Sequence, residues 1–211
     1  MIEASDLEQV AAAIPEPAGN TVSVAVDGLA GAGKSTFCAS LASALRAHGR
    51  TAVQASADGF HNPREVRYRR GRMSPEGFWL DSYDYRRFID EVLIPFDQGE
   101  GASFRTAIYD KSAEQQLDVE PQPVPPSSTL LVDGLFLLRD ELIDHWDFTV
   151  FLDVEPEVAL DRLSLREGRS ADSVLDLNRR IIDGQALYFA ACEPRSRASL
   201  VINNSEPARS L

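Results

Sequence analysis

The stretch that most constrains this chain is "TVSVAVDGLAGAGKST", Thr21 to Thr36. Its first six residues alternate small and β-branched side chains, which reads as a buried strand over Thr21–Val26. Directly behind it, Gly28, Gly33, Lys34 and Ser35 fit the pattern G-x-x-x-x-G-K-[ST]. Glycines there let backbone N–H groups turn inward and approach phosphate oxygens without Cβ interference. Lys34 is one of only two lysines in 211 residues. It can reach the β- and γ-phosphates of a nucleoside triphosphate, while Ser35 offers its hydroxyl to Mg²⁺. A helix predicted over Ser35–Ala47 adds the partial positive charge of its N-terminus. Ala30, Gly31, Ala32 and Thr36 complete the expected nucleotide contacts. The expected ligands are ATP and Mg²⁺.

A strand followed by such a loop and a helix is the first unit of an alternating pattern. Further strands are predicted at Thr51–Ser56, in "TLLVDG", in "DFTVFLDV" and at Ser199–Asn204. Helices are predicted at Asp84–Leu93, Pro156–Glu167 and Asp172–Cys192, and a short capped one at Ser5–Ile14. Phe104–Asp110 reads as a short strand, Asn62–Leu80 as irregular, and Pro121–Ser128 as a loop. Strands alternating with helices imply an α/β fold, a parallel sheet of about five strands covered on both faces. One domain over 1–211 is expected. Within it, 1–20 is an N-terminal helix and linker, 62–82 a flap over the acceptor site, and 162–180 a helical lid.

Composition narrows the partners. A net charge of −12 argues against general binding to nucleic acid or a membrane surface. An anionic ligand therefore needs a locally basic pocket. No apolar run approaches the ~20 residues that span a bilayer, and the N-terminus lacks the basic start of a secretion signal. A cytoplasmic location is the expectation, and self-association into a homo-oligomer stays open. Cys38 and Cys192, the two cysteines, read as buried thiols.

The loop alone does not separate a kinase from a switch or a motor. A guanine-reading N-K-x-D motif cannot exist with only Lys34 and Lys111 available. What the chain does carry is acids after other strands: Asp58 in "DGFH" and Asp133 in "DGLF". Together with "YD" at Tyr109–Asp110 and "FLDVEPEVALDRLSLREGR", these stretches resemble the uridine kinase and phosphoribulokinase group of P-loop kinases, over roughly Thr21 to Asn204. The resemblance implies that Asp58 is the general base and lies near Mg²⁺. It also implies that Asp133, where the group usually has Glu, acts on the metal or its water. Removing a proton from an acceptor hydroxyl and neutralising the transferring phosphoryl group is the chemistry such residues serve.

Two arginine clusters stand out. "NPREVRYRRGR" holds Arg64, Arg67, Arg69, Arg70 and Arg72 against one acid, Glu65. It reads either as a solvated loop or as a flap that brings a cation to the substrate. Arg162 and Arg166 share a helix face. With Arg169 they resemble the lid arginines that stabilise charge on the transferring group. Arg162 is expected to hold nucleotide, and Arg166 and Arg169 to act in the transition state. For the acceptor, the resemblance points to Asp81 or Asp84 in place of the group's ribose-holding Asp, to His61 and Tyr109 as pocket walls, and to Glu114 where relatives commonly place a base-reading His. A carboxylate there favours an N–H or O–H donor. The leading expectation is an ATP-dependent kinase acting on a nucleoside, uridine or cytidine. A sugar or pantothenate-type kinase and a non-catalytic nucleotide-binding regulator are the alternatives.

Overall fold

The computed structural model describes residues 4–168 and 171–205 of the chain. In chain order the elements begin with α1 (Ala4–Ala13), β1 (Val22–Gly28), α2 (Lys34–Ala47) and β2 (Thr51–Ser56). Short helices follow: α3 (Arg64–Arg67), α4 (Pro75–Asp81), α5 (Tyr85–Phe88), a π-helical turn (Ile89–Leu93) and α6 (Ile94–Gln98). Two small ladders come next, β3 (Ser103–Phe104) with β6 (Gln122–Pro123), and β4 (Tyr109–Asp110) with β5 (Gln115–Gln116). The chain closes with β7 (Ser128–Asp133), β8 (Phe148–Asp153), α7 (Pro156–Glu167), α8 (Ala171–Cys192), α9 (Pro194–Arg197) and β9 (Leu200–Asn203).

The main sheet has five strands in the order β2-β7-β1-β8-β9, all parallel. This is the expected fold class. Every residue of β1 is buried, as a strand covered on both faces requires. Its side chains alternate between two cores. Val22, Val24 and Val26 pack with Phe37, Leu41 and Leu45 of α2 on one face. Ala25 faces the other core, which holds Phe60, Phe78, Phe88, Phe96 and Tyr188. One-residue alternation thus fixes the register of the strand that carries the glycine-rich loop.

Three predicted elements change. The stretch 62–80 is not irregular, because Ser74 caps α4 by accepting from Gly77 N. Gly184 then lets α4 approach α8, since a Cβ there would stand 2.8 Å from the Pro75 carbonyl and from Phe78. The strand expected over Phe104–Asp110 breaks into the two-residue pieces β3 and β4, each with its own partner. The helix expected over Asp84–Leu93 forms and runs further, from α5, capped by Asp84, through the π-helical turn to the end of α6 at Gln98 without a break.

One buried group ties the sheet to its cover. Asp27, fully buried at the end of β1, accepts from Gly28 N at 2.7 Å, Leu138 N at 3.3 Å and Tyr188 Oη at 2.6 Å. Burial raises its pKa, and the Tyr188 bond and the Lys34 charge oppose that rise. Tyr188 also accepts from Leu138 N at 3.1 Å. Tyr188→Phe would strip a donor from a buried carboxylate and an acceptor from a buried N–H. We expect a loss of about 1–3 kcal/mol, read as a lowered urea midpoint with unchanged slope; an unaltered midpoint would contradict this role.

Candidate active site

The parallel register brings the ends of β1, β2 and β7 to one edge. Val26 and Ser56 both pair with Asp133. The chain leaves β1 into the glycine-rich loop, β2 into a 3₁₀ turn (Ala57–Phe60) carrying Asp58, and β7 into Gly134. A cavity of about 530 Å³ opens there. Lys34, Ser35, Asp58, Asp133, Arg162 and Arg166 are among its lining residues. Ala30, Gly31, Gly33, Thr36 and His61 line it too. Eleven residues singled out from the sequence thus meet at one site.

Local geometry explains the loop. Gly28, Gly31 and Gly33 adopt φ of 149°, 86° and 87°, conformations that favour glycine. A Cβ on Gly28 would stand 2.6 Å from the Leu152 carbonyl, so the loop can lie directly over β8. Ala32 is fully buried beneath it and does not line the cavity. Three contacts not foreseen from the sequence brace this loop. Ala30 N donates to Gln185 Oε1 of α8 at 2.6 Å. Asn204 Nδ2 donates to the Ala32 carbonyl at 2.8 Å, and Arg162 Nη2 donates to the Asn204 carbonyl at 2.8 Å. Their sequence separations of 155, 172 and 42 leave no local signal to find.

Lys34 donates to the carbonyls of Gly28 (3.0 Å) and Leu29 (2.9 Å), so its ammonium is held inside the loop. Burial lowers its pKa, while the negative charges of Asp27, Asp58 and Asp133 act in the opposite sense. Ser35 Oγ donates to Asp133 Oδ2 at 2.6 Å. The Asp133 pKa is raised by burial first and by the nearby Asp58 charge, against the Ser35 and Lys34 interactions. Asp58 is exposed, and Tyr83 Oη donates to its Oδ1 at 2.9 Å. Gly59 lets this turn dock on its neighbour: a Cβ there would meet the Thr106 carbonyl at 2.7 Å, and Ile108 N donates to Gly59 O at 2.8 Å.

Two carboxylates that repel each other beside a hydroxyl suit a hard divalent cation. Among the described residues no group of three or more His, Cys, Asp or Glu could hold a metal by itself. Mg²⁺ ordinarily takes one or two carboxylates and completes its shell with water and phosphate oxygens. Ser35 and Asp133, with Asp58 beside them, could hold it.

A second cavity of about 350 Å³ adjoins the first, sharing His61, Phe78, Lys111 and Ile181. His61 Nδ1 donates to the Asp58 carbonyl at 2.8 Å, which leaves Nε2 as an acceptor. Burial, reinforced by Lys111 and Arg67, pushes its pKa down to about 4, so the ring is neutral at pH 7. Other acceptor-site expectations need correction. Asp81 is buried and ion-paired to Arg69 and Arg70, locking the flap to α4 instead of facing either cavity. Asp84 accepts from Arg87 N at 3.0 Å as a helix cap. Tyr109 is buried and donates to Glu114 Oε2 at 2.9 Å. Glu114 is also bonded to Arg67, and its carboxylate is therefore engaged already. Arg169 lies outside the described residues.

A parallel five-strand sheet with this loop at its carboxyl edge defines the protein as an α/β P-loop NTPase-type fold. The chain belongs to the phosphoribulokinase / uridine kinase family, whose model matches residues 23–203. A uridine kinase of Brevibacillus brevis is 27% identical over 192 residues, 87% of this chain and 85% of that protein. A uridine kinase of Leuconostoc citreum is 24% identical over 191 residues, 85% of each chain. A solved structure from Bacillus stearothermophilus, described as a "Possible Uridine Kinase", superposes with a TM-score of 0.72 at 19% identity, covering 94% of this chain and 96% of that one. Family and fold together support a P-loop kinase.

Proposed function

We propose that the protein transfers the γ-phosphoryl group of ATP to a hydroxyl of a small molecule seated in the second cavity. The observation that carries this reading is the junction of the two cavities at His61 and Lys111, with Asp58 lining the phosphate side. The acceptor oxygen attacks the γ-phosphorus, the bond to the ADP oxygen breaks, and the acceptor proton passes to Asp58. Tyr83, bonded to one Asp58 oxygen, fixes the carboxylate and leaves the other oxygen to take the proton. His61 Nε2 can accept a hydrogen bond from the same acceptor and orient it. Mg²⁺, held by Ser35 and Asp133 near Asp58, would neutralise charge on the β- and γ-phosphates. The loop N–H groups and Lys34 would bind the same phosphates.

A uridine acceptor is suggested by the names of the relatives, and cytidine, a sugar or a pantothenate-like acceptor would use the same machinery. Acceptor-dependent ADP release, measured across nucleosides, sugars and hydroxy acids, tests the reading. ADP release that no acceptor stimulates would contradict it.

Arg166 is exposed on α7 and lines the phosphate cavity. We expect it to meet charge that develops during transfer. Arg166→Ala should lower kcat and kcat/KM together by about 10²-fold, the scale for losing one such donor. A rise in KM for ATP alone would mark Arg166 as a tether.

A further inference from the structure

Among the described residues four cations line the second cavity, namely Arg67, Arg72, Lys111 and Arg180, and no Asp or Glu does. In a chain of net charge −12 this is a local inversion of sign. Of the carboxylates close by, Glu114 binds Arg67, Asp81 binds Arg69 and Arg70, and Asp58 lines the first cavity; none of the three lines this one. Among the described residues Arg72, Lys111 and Arg180 form no ion pair. We propose that this cavity is an anion receptor, so that the acceptor carries an anionic oxyacid group, a phosphate ester or a carboxylate, besides its reacting hydroxyl. This rests on the transfer reaction proposed above and names its substrate class.

Arg67 is the centre of the receptor. It is 3% exposed, and its Nε and Nη1 find no hydrogen-bond acceptor among the described residues. Leaving guanidinium donors unpaired in a buried site is costly. An oxyanion in the cavity would relieve that cost with charge-assisted hydrogen bonds, stronger than those a neutral base or sugar ring can accept. The surroundings hold this guanidinium in place. Glu114 takes Nη2, Tyr109 takes the other Glu114 oxygen, and the Tyr68 ring lies 5.6 Å from the Arg67 guanidinium carbon. Glu114 itself sits at φ 53°, a left-handed conformation uncommon for a glutamate. Such strain persists where the surroundings over-determine it. Glu114 and Tyr109 are thus positioning residues for Arg67 and do not touch the acceptor.

Arg180 forms a fixed wall. Its Nε and Nη2 donate to the carbonyls of Ser74 (3.1 Å) and Arg67 (2.8 Å), and its guanidinium carbon lies 4.7 Å from the centre of the Tyr68 ring. Arg72 and Lys111 are exposed, so both can swing onto an entering anion. Lys111 lines both cavities. It can therefore hold the anionic group on one side while the hydroxyl faces Asp58. A neutral nucleoside offers these cations carbonyl and hydroxyl acceptors but no charge to neutralise them.

The test has a binding arm and a turnover arm. With the phosphate cavity filled by a non-hydrolysable ATP analogue and Mg²⁺, inorganic phosphate and acetate are titrated and followed by calorimetry. Saturable binding is expected in the wild type, weakened at least tenfold in Lys111→Gln and in Arg67→Gln. Lys111 is exposed, so its variant keeps the test valid if Arg67→Gln fails to fold. In turnover, neutral sugars and nucleosides are compared with their monophosphates and with hydroxycarboxylates. At least one anionic class should exceed its neutral counterpart at least tenfold in kcat/KM. Lys111→Gln should erase that preference through KM, and the stronger anion in the binding arm identifies the class. Transfer to neutral acceptors with no anion binding overturns the receptor and leaves the kinase reading standing. Anion binding with no transfer to any acceptor upholds the receptor and overturns the kinase reading.

Discussion

Lys34→Ala is expected to reduce phosphoryl transfer by at least about 10²–10³-fold, the scale for removing a preorganised donor from a developing negative charge. The ammonium lies between the carbonyls of Gly28 and Leu29, with Asp27, Asp58 and Asp133 close enough to favour its charged form. Binding of ATP moves it from neutral carbonyls to phosphate oxygens, a stronger partner. Removing it takes charge from the phosphates and releases the two loop carbonyls. The fold should survive, because Phe37, Leu41 and Leu45 anchor α2 independently. Circular dichroism and a denaturation midpoint close to wild type, beside lost turnover, are the expected pair of results. Retained turnover would remove the phosphate-loop reading.

Asp58→Asn is expected to lower kcat by about 10²–10⁴-fold, the usual contribution of a general base. The amide keeps the shape and can still accept from Tyr83, so the 3₁₀ turn and its Ser56 cap should persist. It cannot take the acceptor's proton. Binding of ATP, measured by calorimetry, should change far less than kcat. If kcat is retained and only KM rises, Asp58 binds substrate and the proton goes elsewhere.

What the sequence made legible follows from distance along the chain. The glycine-rich loop is local, and its spacing is dictated by how backbone amides wrap a phosphate. The buried strands β1 and β7 were equally legible, because a sheet covered on both faces demands continuous apolar runs. Around the second cavity His61, Arg67 and Arg72 were singled out, but how its charges are engaged was not legible. Whether Arg67 is free or engaged depends on Glu114, 47 residues away, and the role of Asp81 depends on Arg69 and Arg70. No pattern in the sequence says that Asp27 will meet Tyr188, 161 positions later. Glu114 illustrates the difference. Its position suggested a group facing the substrate, whereas folding turns its carboxylate towards a guanidinium. In the proposed receptor the substrate-facing charge belongs to that arginine.

The most direct test of the central claim uses ATP labelled in its γ-phosphoryl group, incubated with the wild-type protein, Mg²⁺ and a mixture of small hydroxyl compounds. If the junction of the two cavities transfers a phosphoryl group, the label will appear in a phosphorylated acceptor in equal amount to the ADP formed, and Asp58→Asn will abolish both. Label found only in inorganic phosphate, or left in ATP at every acceptor tried, would contradict it.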